Sequence, residues 1–273
     1  MSIRAEYLGL VFGSAWLCWW LVTSPWPQRM ERGYGIVRIA AIVSSGLLFL
    51  YLLKGLFKRS NFSNDSLIEI TPEFQPKVAF TTPEFGLHFN TPVYKDGVLY
   101  GFDGRNEPDA SLACLDPKTG KELWRTPRDE VENWATPFVW EHGTRTEIVT
   151  NGRRLVRSYD LDGKLLWQMS GMTGNVVPTP FSKHGLLYLS SGYPGAAVRP
   201  ALAVKPGASG DITLKPGETS NQHIVWFQPS IGTYQTSALV YGDYYYTLLD
   251  RGIMLCHDAK TGKQLYGRQR ISP

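Results

Sequence analysis

The stretch Asp116-Pro117-Lys118-Thr119-Gly120-Lys121-Glu122-Leu123-Trp124 is a polar turn followed by a short run that closes on an aromatic residue. It recurs over residues 160–167 as Asp-Leu-Asp-Gly-Lys-Leu-Leu-Trp, and over residues 258–266 as Asp-Ala-Lys-Thr-Gly-Lys-Gln-Leu-Tyr. The glycine supplies the positive φ that a tight turn requires, and the residues after it favour a strand. Three copies at similar intervals form an internal repeat, and this repeat decides the fold.

A second phrase precedes the turn in each unit. Residues 91–100 predict a strand, an Asp-Gly hairpin turn and another strand, and the phrase returns over 136–143, 179–188 and 237–246. The aromatic residues that close the units are 43, 59 and 40 residues apart, and an insertion from Lys205 to about Gln222 explains the long interval. Four strands in about 40 residues is the size of a β-propeller blade.

The sequence therefore predicts a mainly β protein, a β-propeller of four recognisable four-stranded blades. Their approximate bounds are 90–126, 135–169, 178–228 and 236–268 within a repeat region of residues 86–273. The repeated aspartates are expected to accept backbone N–H bonds in their own turns, and the closing aromatics to bridge adjacent blades. These structural repeat residues are Asp116, Gly120, Trp124, Asp160, Gly163, Trp167, Trp226, Asp258, Gly262 and Tyr266.

The N-terminal part has a different composition. Residues 7–23 are uncharged and apolar, and a second apolar run spans about 35–57, so two transmembrane helices are predicted within residues 1–59. A signal peptide and a buried helical hairpin remain alternatives. Residues 60–85 are polar and contain proline, which predicts a linker with short strands over 67–70 and 78–80.

Charge and cysteine content limit the classes of partner and site. The net charge of +4, without a basic run in the repeats, argues against a nucleic-acid partner. The three cysteines form no Cys-x-x-Cys motif. Cys114 and Cys256 lie two residues before a repeat aspartate, and Ser158 takes that place in the second copy. A small buried side chain is therefore predicted there rather than a disulfide.

The repeat region contains no recognisable catalytic motif. Its five histidines have no ligand spacing; His142 and His184 fall in predicted hairpin turns, which favours solvated side chains. Arg153 and Arg154 are interpreted as a solvated pair at a strand edge, and residues 171–175 as a loop lining one mouth of the propeller. No catalytic or metal-binding residue is predicted, and cofactor-binding residues stay unassigned.

The string small-x-Asp-x-x-Thr-Gly-x-x-x-Trp resembles the tryptophan-docking repeat of PQQ-like β-propellers. It is present as Cys114 to Trp124 and nearly present as Cys256 to Tyr266, and the resemblance covers about residues 86–270. The family includes quinoprotein alcohol dehydrogenases, outer-membrane-assembly lipoprotein propellers and bacterial proteins with membrane helices ahead of the propeller. Its members usually have seven or eight blades. With four recognisable blades, three alternatives stay open: the chain is a fragment, it comes from a truncated reading frame, or it forms a propeller that a second copy completes.

The resemblance and the residues together give the functional hypotheses. The first is a membrane-anchored, non-catalytic scaffold that binds a protein or small ligand. The alternative is a PQQ-dependent quinoprotein oxidoreductase using PQQ with calcium, or a non-functional fragment of one. The family places the propeller outside the cytoplasm, whereas the Lys and Arg balance around the two apolar runs mildly favours the cytoplasm. Expected partners are the membrane and either another protein or a second copy.

Overall fold

The computed structural model describes residues 65–70, 76–82, 85–86, 90–103, 110–130, 134–143, 145–153 and 155–271. All of them belong to one unit, Asn64–Pro273. The predicted membrane helices over residues 7–23 and 35–57 lie outside the described residues. Within the described part, no helix is long and apolar enough to cross a membrane.

The described residues form a two-stranded hairpin and four larger sheets, which we name blades 1 to 4 in chain order. The hairpin pairs β1 (Asp65–Ile70) with β2 (Pro76–Thr82). Blade 1 has β3 (Val93–Lys95), β4 (Val98–Asp103), β5 (Ser111–Leu115) and β6 (Glu122–Pro127), and blade 2 has β7 (Phe138–His142), β8 (Arg145–Thr150), β9 (Val156–Tyr159), β10 (Leu165–Met169) and β14 (Gly210–Asp211). Blade 3 has β11 (Phe181–Lys183), β12 (Leu186–Ser190), β13 (Ala201–Val204) and β15 (Ile224–Gln228), and blade 4 has β16 (Leu239–Tyr241), β17 (Tyr244–Leu249), β18 (Ile253–Asp258) and β19 (Gln264–Arg270).

In each blade four strands form an antiparallel meander, and blade 2 has β14 as an additional parallel strand beside β10. Blade 1 illustrates how the sequence sets this pattern: Asp96 and Gly97 both have positive φ, 49° and 86°, in the tight turn between β3 and β4. The prediction of a mainly β, propeller-like fold with four-stranded blades is confirmed.

One row of side chains crosses one face of each blade, and we call it the docking row; in blades 1 to 3 this face packs on the next blade. Its four members are cross-strand partners, one on each strand, so they lie on the same face of the sheet. The rows are Val93, Tyr100, Cys114 and Trp124; Phe138, Val149, Ser158 and Trp167; Phe181, Tyr188, Ala203 and Trp226; and Leu239, Tyr246, Cys256 and Tyr266.

The apolar cores lie between successive blades rather than within them. The docking row of blade 1 packs with Ile148 and Tyr159 of blade 2. The row of blade 2 packs with Leu187 and Leu202 of blade 3, and the row of blade 3 packs with residues of blade 4. Each blade therefore depends on its neighbour to bury its apolar face, as expected for repeat proteins.

The hairpin lies in the stretch predicted as a linker, and both predicted short strands are present within β1 and β2. Phe80 of β2 packs with Phe85, Leu99 and Leu115. A Cβ added at Gly120 would lie only 2.5 Å from the Phe80 ring. Phe80 thus covers the turn glycine of blade 1 as Trp124 covers that of blade 2.

The insertion after Lys205 contributes to the core, which its composition did not indicate. Its strand β14 pairs in parallel with β10, Trp167 opposite Gly210, and adds a fifth strand to blade 2. Ala208 and Ile212 are buried in the core between blades 2 and 3. The insertion of blade 3 therefore ties that blade to the one before it.

Candidate functional site

The three repeat aspartates stabilise their own turns. The Asp116 carboxylate accepts a 2.7 Å bond from the Lys118 N–H, and that of Asp160 accepts a 2.8 Å bond from the Lys164 N–H. The Asp258 carboxylate accepts bonds from the N–H and the hydroxyl of Thr261, each 2.8 Å long. These carboxylates act as turn acceptors, as the sequence predicted, and each serves a separate turn.

These bonds give the fold an acid-sensitive component. The hydrogen bonds from Thr261 lower the pKa of Asp258, and the Lys118 N–H lowers the pKa of Asp116. A depressed pKa stabilises the folded state above the unfolded pKa, and this contribution is lost as pH falls through the folded value. We expect the urea midpoint to fall between about pH 5 and about pH 2, and Asp258→Asn to make that fall shallower. Asp250→Asn, in an exposed turn, is the control; equal slopes in both variants would contradict the prediction.

Two closing tryptophans dock on the turn of the next blade. The Trp124 Nε1–H donates to the Leu161 carbonyl at 3.1 Å, and the Trp226 Nε1–H donates to the Ala259 carbonyl at 2.9 Å. Each ring covers the turn glycine, because a Cβ at Gly163 would lie 2.7 Å from Trp124 and one at Gly262 would lie 2.6 Å from Trp226. Glycine is therefore required at each of these turns for two reasons: it adopts a positive φ without strain, and it leaves space for the tryptophan ring.

A second donor accompanies each docked ring. Two residues after Trp124, the Thr126 hydroxyl donates to the Gly163 carbonyl at 2.9 Å. Two residues after Trp226, the Gln228 side-chain amide donates to the Gly262 carbonyl at 2.8 Å. A docking aromatic and a donor at the second position after it thus hold each of these two junctions.

Trp167 packs between blades like the others, but its N–H bonds within its own blade. Its Nε1–H donates to the Glu147 carboxylate at 2.7 Å, and Glu147 is fully buried. The Ser158 hydroxyl and the Arg145 guanidinium also donate to this carboxylate, and Arg145 donates in turn to the Ala208 carbonyl of the insertion. At the junction of blades 2 and 3, the acceptor for the tryptophan N–H is therefore a buried carboxylate instead of a turn carbonyl.

The interpretation of His142 as a solvated side chain is wrong. Its side chain is only 4% exposed, its ring centroid lies 4.4 Å from that of the Trp140 ring in a tilted arrangement, and its Nε2 lies 2.8 Å from the Glu147 carboxylate. His184 is also partly enclosed, because its Nε2 lies 2.8 Å from the Gly242 carbonyl of blade 4. His142 ends β7 and is enclosed by Trp140 and Glu147 of its own blade, whereas His184 lies in the turn after β11. Arg153 is exposed as predicted, and Arg154 lies outside the described residues.

The cysteine prediction is confirmed for the repeats. Cys114 and Cys256 are free and buried, and Ser158 in the equivalent place is buried as well. Each is the cross-strand partner of a closing aromatic, and Ala203 fills the slot in blade 3. Burial raises the pKa of Cys114 to about 11, which keeps the thiol protonated and unreactive near neutral pH.

Loops 171–175, 191–199 and 231–234 form a surface outside the blade junctions, which we call the loop platform. It includes the loop over 171–175 that the sequence assigned to a propeller mouth. The Thr173 N–H donates to the Ser191 hydroxyl at 2.9 Å, and the Tyr193 N–H donates to the Thr173 hydroxyl at 3.0 Å. The Tyr193 ring meets the Tyr234 ring edge-on at 5.5 Å. The three loops therefore support one another.

Buried polar groups and close backbone packing fix the platform. The Thr233 N–H donates to the Ser190 hydroxyl at 3.1 Å, and the Asn151 amide donates to the Ser190 carbonyl at 3.0 Å. A Cβ on Gly192 or on Gly232 would overlap with backbone atoms of the facing loop. On this support the platform exposes Tyr193 by 40% and Val198 by 45%. Apolar side chains held rigidly at a polar-rimmed surface are typical of protein-binding sites.

The described residues do not fit PQQ with calcium. A calcium site requires several converging oxygen ligands, whereas the three repeat carboxylates serve separate turns. Among the described residues, no group of three or more His, Cys, Asp or Glu is placed to hold a metal. A groove of about 270 Å³ between the insertion and blade 3 is lined without any titratable side chain, by Thr219, Ser220, Val225, Trp226, Phe227, Gln228, Pro229 and Thr261. We therefore derive no chemical step through the quinone.

Comparison with known proteins identifies relatives of the repeats. Residues 108–200 match the family model described as outer membrane protein assembly factor BamB. BamB of Nitrosomonas eutropha is 32% identical over 127 residues, which are 46% of this chain and 28% of the relative.

Two solved structures align with the chain. BamB from Moraxella catarrhalis aligns with a TM-score of 0.49 and 14% identity, over 75% of this chain and 62% of that one. A europium-containing methanol dehydrogenase aligns with a TM-score of 0.51 and 12% identity, over 76% of this chain and 47% of that one. At such identities the likeness concerns the fold alone. The chain spans less than two thirds of the length of each of these relatives.

Proposed function

We propose, from the match of residues 108–200 to the model of outer membrane protein assembly factor BamB, that this chain is a PQQ-like β-propeller and serves as a non-catalytic, membrane-anchored scaffold that binds another protein through the loop platform. One observation carries the proposal. The buried polar groups of the platform hydrogen-bond one another and so hold the loops in place, whereas Tyr193 and Val198 are exposed and make the outer surface. Rigid loops bind with little loss of conformational entropy. Aromatic side chains at such positions are common anchors of protein interfaces.

The proposal includes the remaining expectations from the sequence. The two predicted helices over residues 7–23 and 35–57 would anchor the chain, and the propeller would lie on the extracytoplasmic side of a bacterial membrane. The name of the relatives, outer membrane protein assembly factor, supports a protein as the partner. It gives no support for a substrate or a cofactor of this chain.

The test is site-specific photo-crosslinking in bacterial cells that express the full chain. A photoreactive phenylalanine analogue replaces Tyr193 or Val198 and, as the control, Tyr94, which is 66% exposed on β3 of blade 1. We expect a discrete crosslinked protein from positions 193 and 198 that is absent at position 94. The additional substitution Tyr234→Ala, which removes the ring under Tyr193, should weaken the band. No product, or the same products at all three positions, would contradict the proposal.

A further inference from the structure

The outer edge of blade 2 shows how this fold receives an additional strand. Strand β14 of the insertion pairs in parallel with β10, Trp167 opposite Gly210 and Gln168 opposite Asp211. The Ile212 N–H donates to the Gln168 carbonyl at 2.9 Å, and Ile212 is buried. The backbone groups of Gln168 therefore point away from the four-stranded meander, towards the edge where β14 lies.

Phe227 is the counterpart of Gln168 in blade 3. Each follows the closing tryptophan of its blade, and each pairs with the residue before the small slot, Arg157 in blade 2 and Leu202 in blade 3. Backbone groups alternate in direction along an antiparallel pair, so the same register places the N–H and the carbonyl of Phe227 at the outer edge of blade 3. In the described part of the chain this edge has no further strand, because the sheet ends at β15.

The insertion covers only the beginning of this edge. The Asn221 N–H donates to the Ile224 carbonyl at 3.0 Å, and the Asn221 side-chain oxygen accepts the Ile224 N–H at 2.7 Å. Asn221 thus takes the place of a neighbouring strand at Ile224. Pro229 has no N–H and ends the edge as a pairing partner at the other end. The part left uncovered is centred on Phe227, the counterpart of the position that β14 uses in blade 2.

The groove of about 270 Å³ beside the insertion lies along this uncovered part. Residues 225–229 line it, together with the hydroxyl-bearing Thr219 and Ser220 of the insertion and Thr261 of blade 4. A charged side chain would lose its water in this groove without gaining an ionic partner, because none of the lining side chains is titratable. The groove therefore favours an uncharged segment whose backbone bonds Phe227 as β14 bonds Gln168.

We propose that an extended, uncharged peptide segment of another protein binds in this groove and adds to blade 3 as a fifth strand. In strand addition the main-chain hydrogen bonds supply affinity, and the surrounding side chains select the residues. The insertion and the turn of blade 4 also line the groove, so a single extended segment fits it better than the edge of a folded second copy. The groove shares no residue with the loop platform, and the inference does not depend on the scaffold function.

The first test uses the blocked hexapeptide acetyl-Thr-Val-Thr-Val-Thr-Val-amide, which is uncharged and has a high strand preference. Calorimetric titration of the full chain in detergent should show saturable binding, and the peptide should slow hydrogen exchange at the Phe227 amide. We expect Ser220→Trp, which fills the groove, to raise the dissociation constant about tenfold or more, as the loss of one hydrogen bond does. Gln222→Trp, exposed in the same insertion but outside the groove lining, should leave it unchanged.

Three results of this test would overturn the proposal: no saturable binding, slower exchange elsewhere but not at Phe227, or equal effects of the two tryptophan variants. Unfolding curves check that both variants fold. The titration and the exchange measurement on the wild-type chain decide the matter even if Ser220→Trp does not fold.

The second test addresses the chemistry of the occupant. A hexapeptide with glutamate in place of the central threonine should bind the wild-type chain about tenfold more weakly or worse, because its carboxylate would be desolvated without a partner. Equal affinity of the two peptides would contradict an uncharged occupant. Self-association of the wild-type chain in sedimentation velocity that Ser220→Trp abolishes would assign the edge to a second copy and overturn the proposal.

Discussion

Glu147→Leu is expected to lower the free energy of unfolding by about 2–5 kcal/mol, because each buried donor left without an acceptor costs about 1–3 kcal/mol. The carboxylate is fully buried and accepts hydrogen bonds from Trp167, Ser158 and Arg145. Leucine fills similar space but leaves these donors without an acceptor. The measurement is urea unfolding of the purified full chain, followed by tryptophan fluorescence.

Two further variants test the explanation. Glu141→Gln removes an exposed carboxylate on β7 of the same blade and should change stability by less than about 1 kcal/mol, as for a surface ion pair. Combining Glu147→Leu with Arg145→Met should recover part of the loss, because it removes the charge that would otherwise lack its partner. A loss at Glu147 no larger than at Glu141 would show that the carboxylate does not hold the junction.

Gly262→Ala is expected to cost about 2–5 kcal/mol. A positive φ in a residue with a Cβ costs about 1–2 kcal/mol, and overpacking against a neighbour costs about 1–3 kcal/mol more. Both apply, because φ is +70° and the added Cβ would lie 2.6 Å from the Trp226 ring. Gly163→Ala, under Trp124, should behave in the same way.

Gly207 provides a matched control from the corresponding turn of blade 3. Its φ is +85°, but no atom lies within 4 Å of an added Cβ, since no ring docks there. Gly207→Ala should therefore cost only about 1–2 kcal/mol, the backbone contribution alone. Comparable losses for Gly207→Ala and Gly262→Ala in urea unfolding would contradict a docking role for the closing aromatic.

Much of the fold was predictable because its signals are local. The turn residues Asp116 and Gly120 impose a conformation on their own neighbours, and the small slot at Cys114 recurs because it always faces a closing aromatic. Repetition made these signals more specific. One copy would indicate only a hairpin, whereas three copies also give the length of the repeat unit. The loop platform could be predicted only in part. The place of residues 171–175 between two repeats indicated a loop at one mouth of the propeller, but nothing in the sequence indicated that Tyr193 and Val198 lie on the same surface.

The sequence by itself determined the repeat unit, its turns and its closing aromatics, because φ preferences and strand alternation act over a few residues. Only the tertiary structure decided which acceptor each aromatic uses. The Trp167 N–H bonds Glu147 because blade 3 has Lys205 and an insertion where the other blades have the Asp and Gly turn. Strand β14 joins blade 2 by pairing with β10, Trp167 opposite Gly210, and the sequence pattern did not indicate this because strand pairing joins residues far apart in the chain.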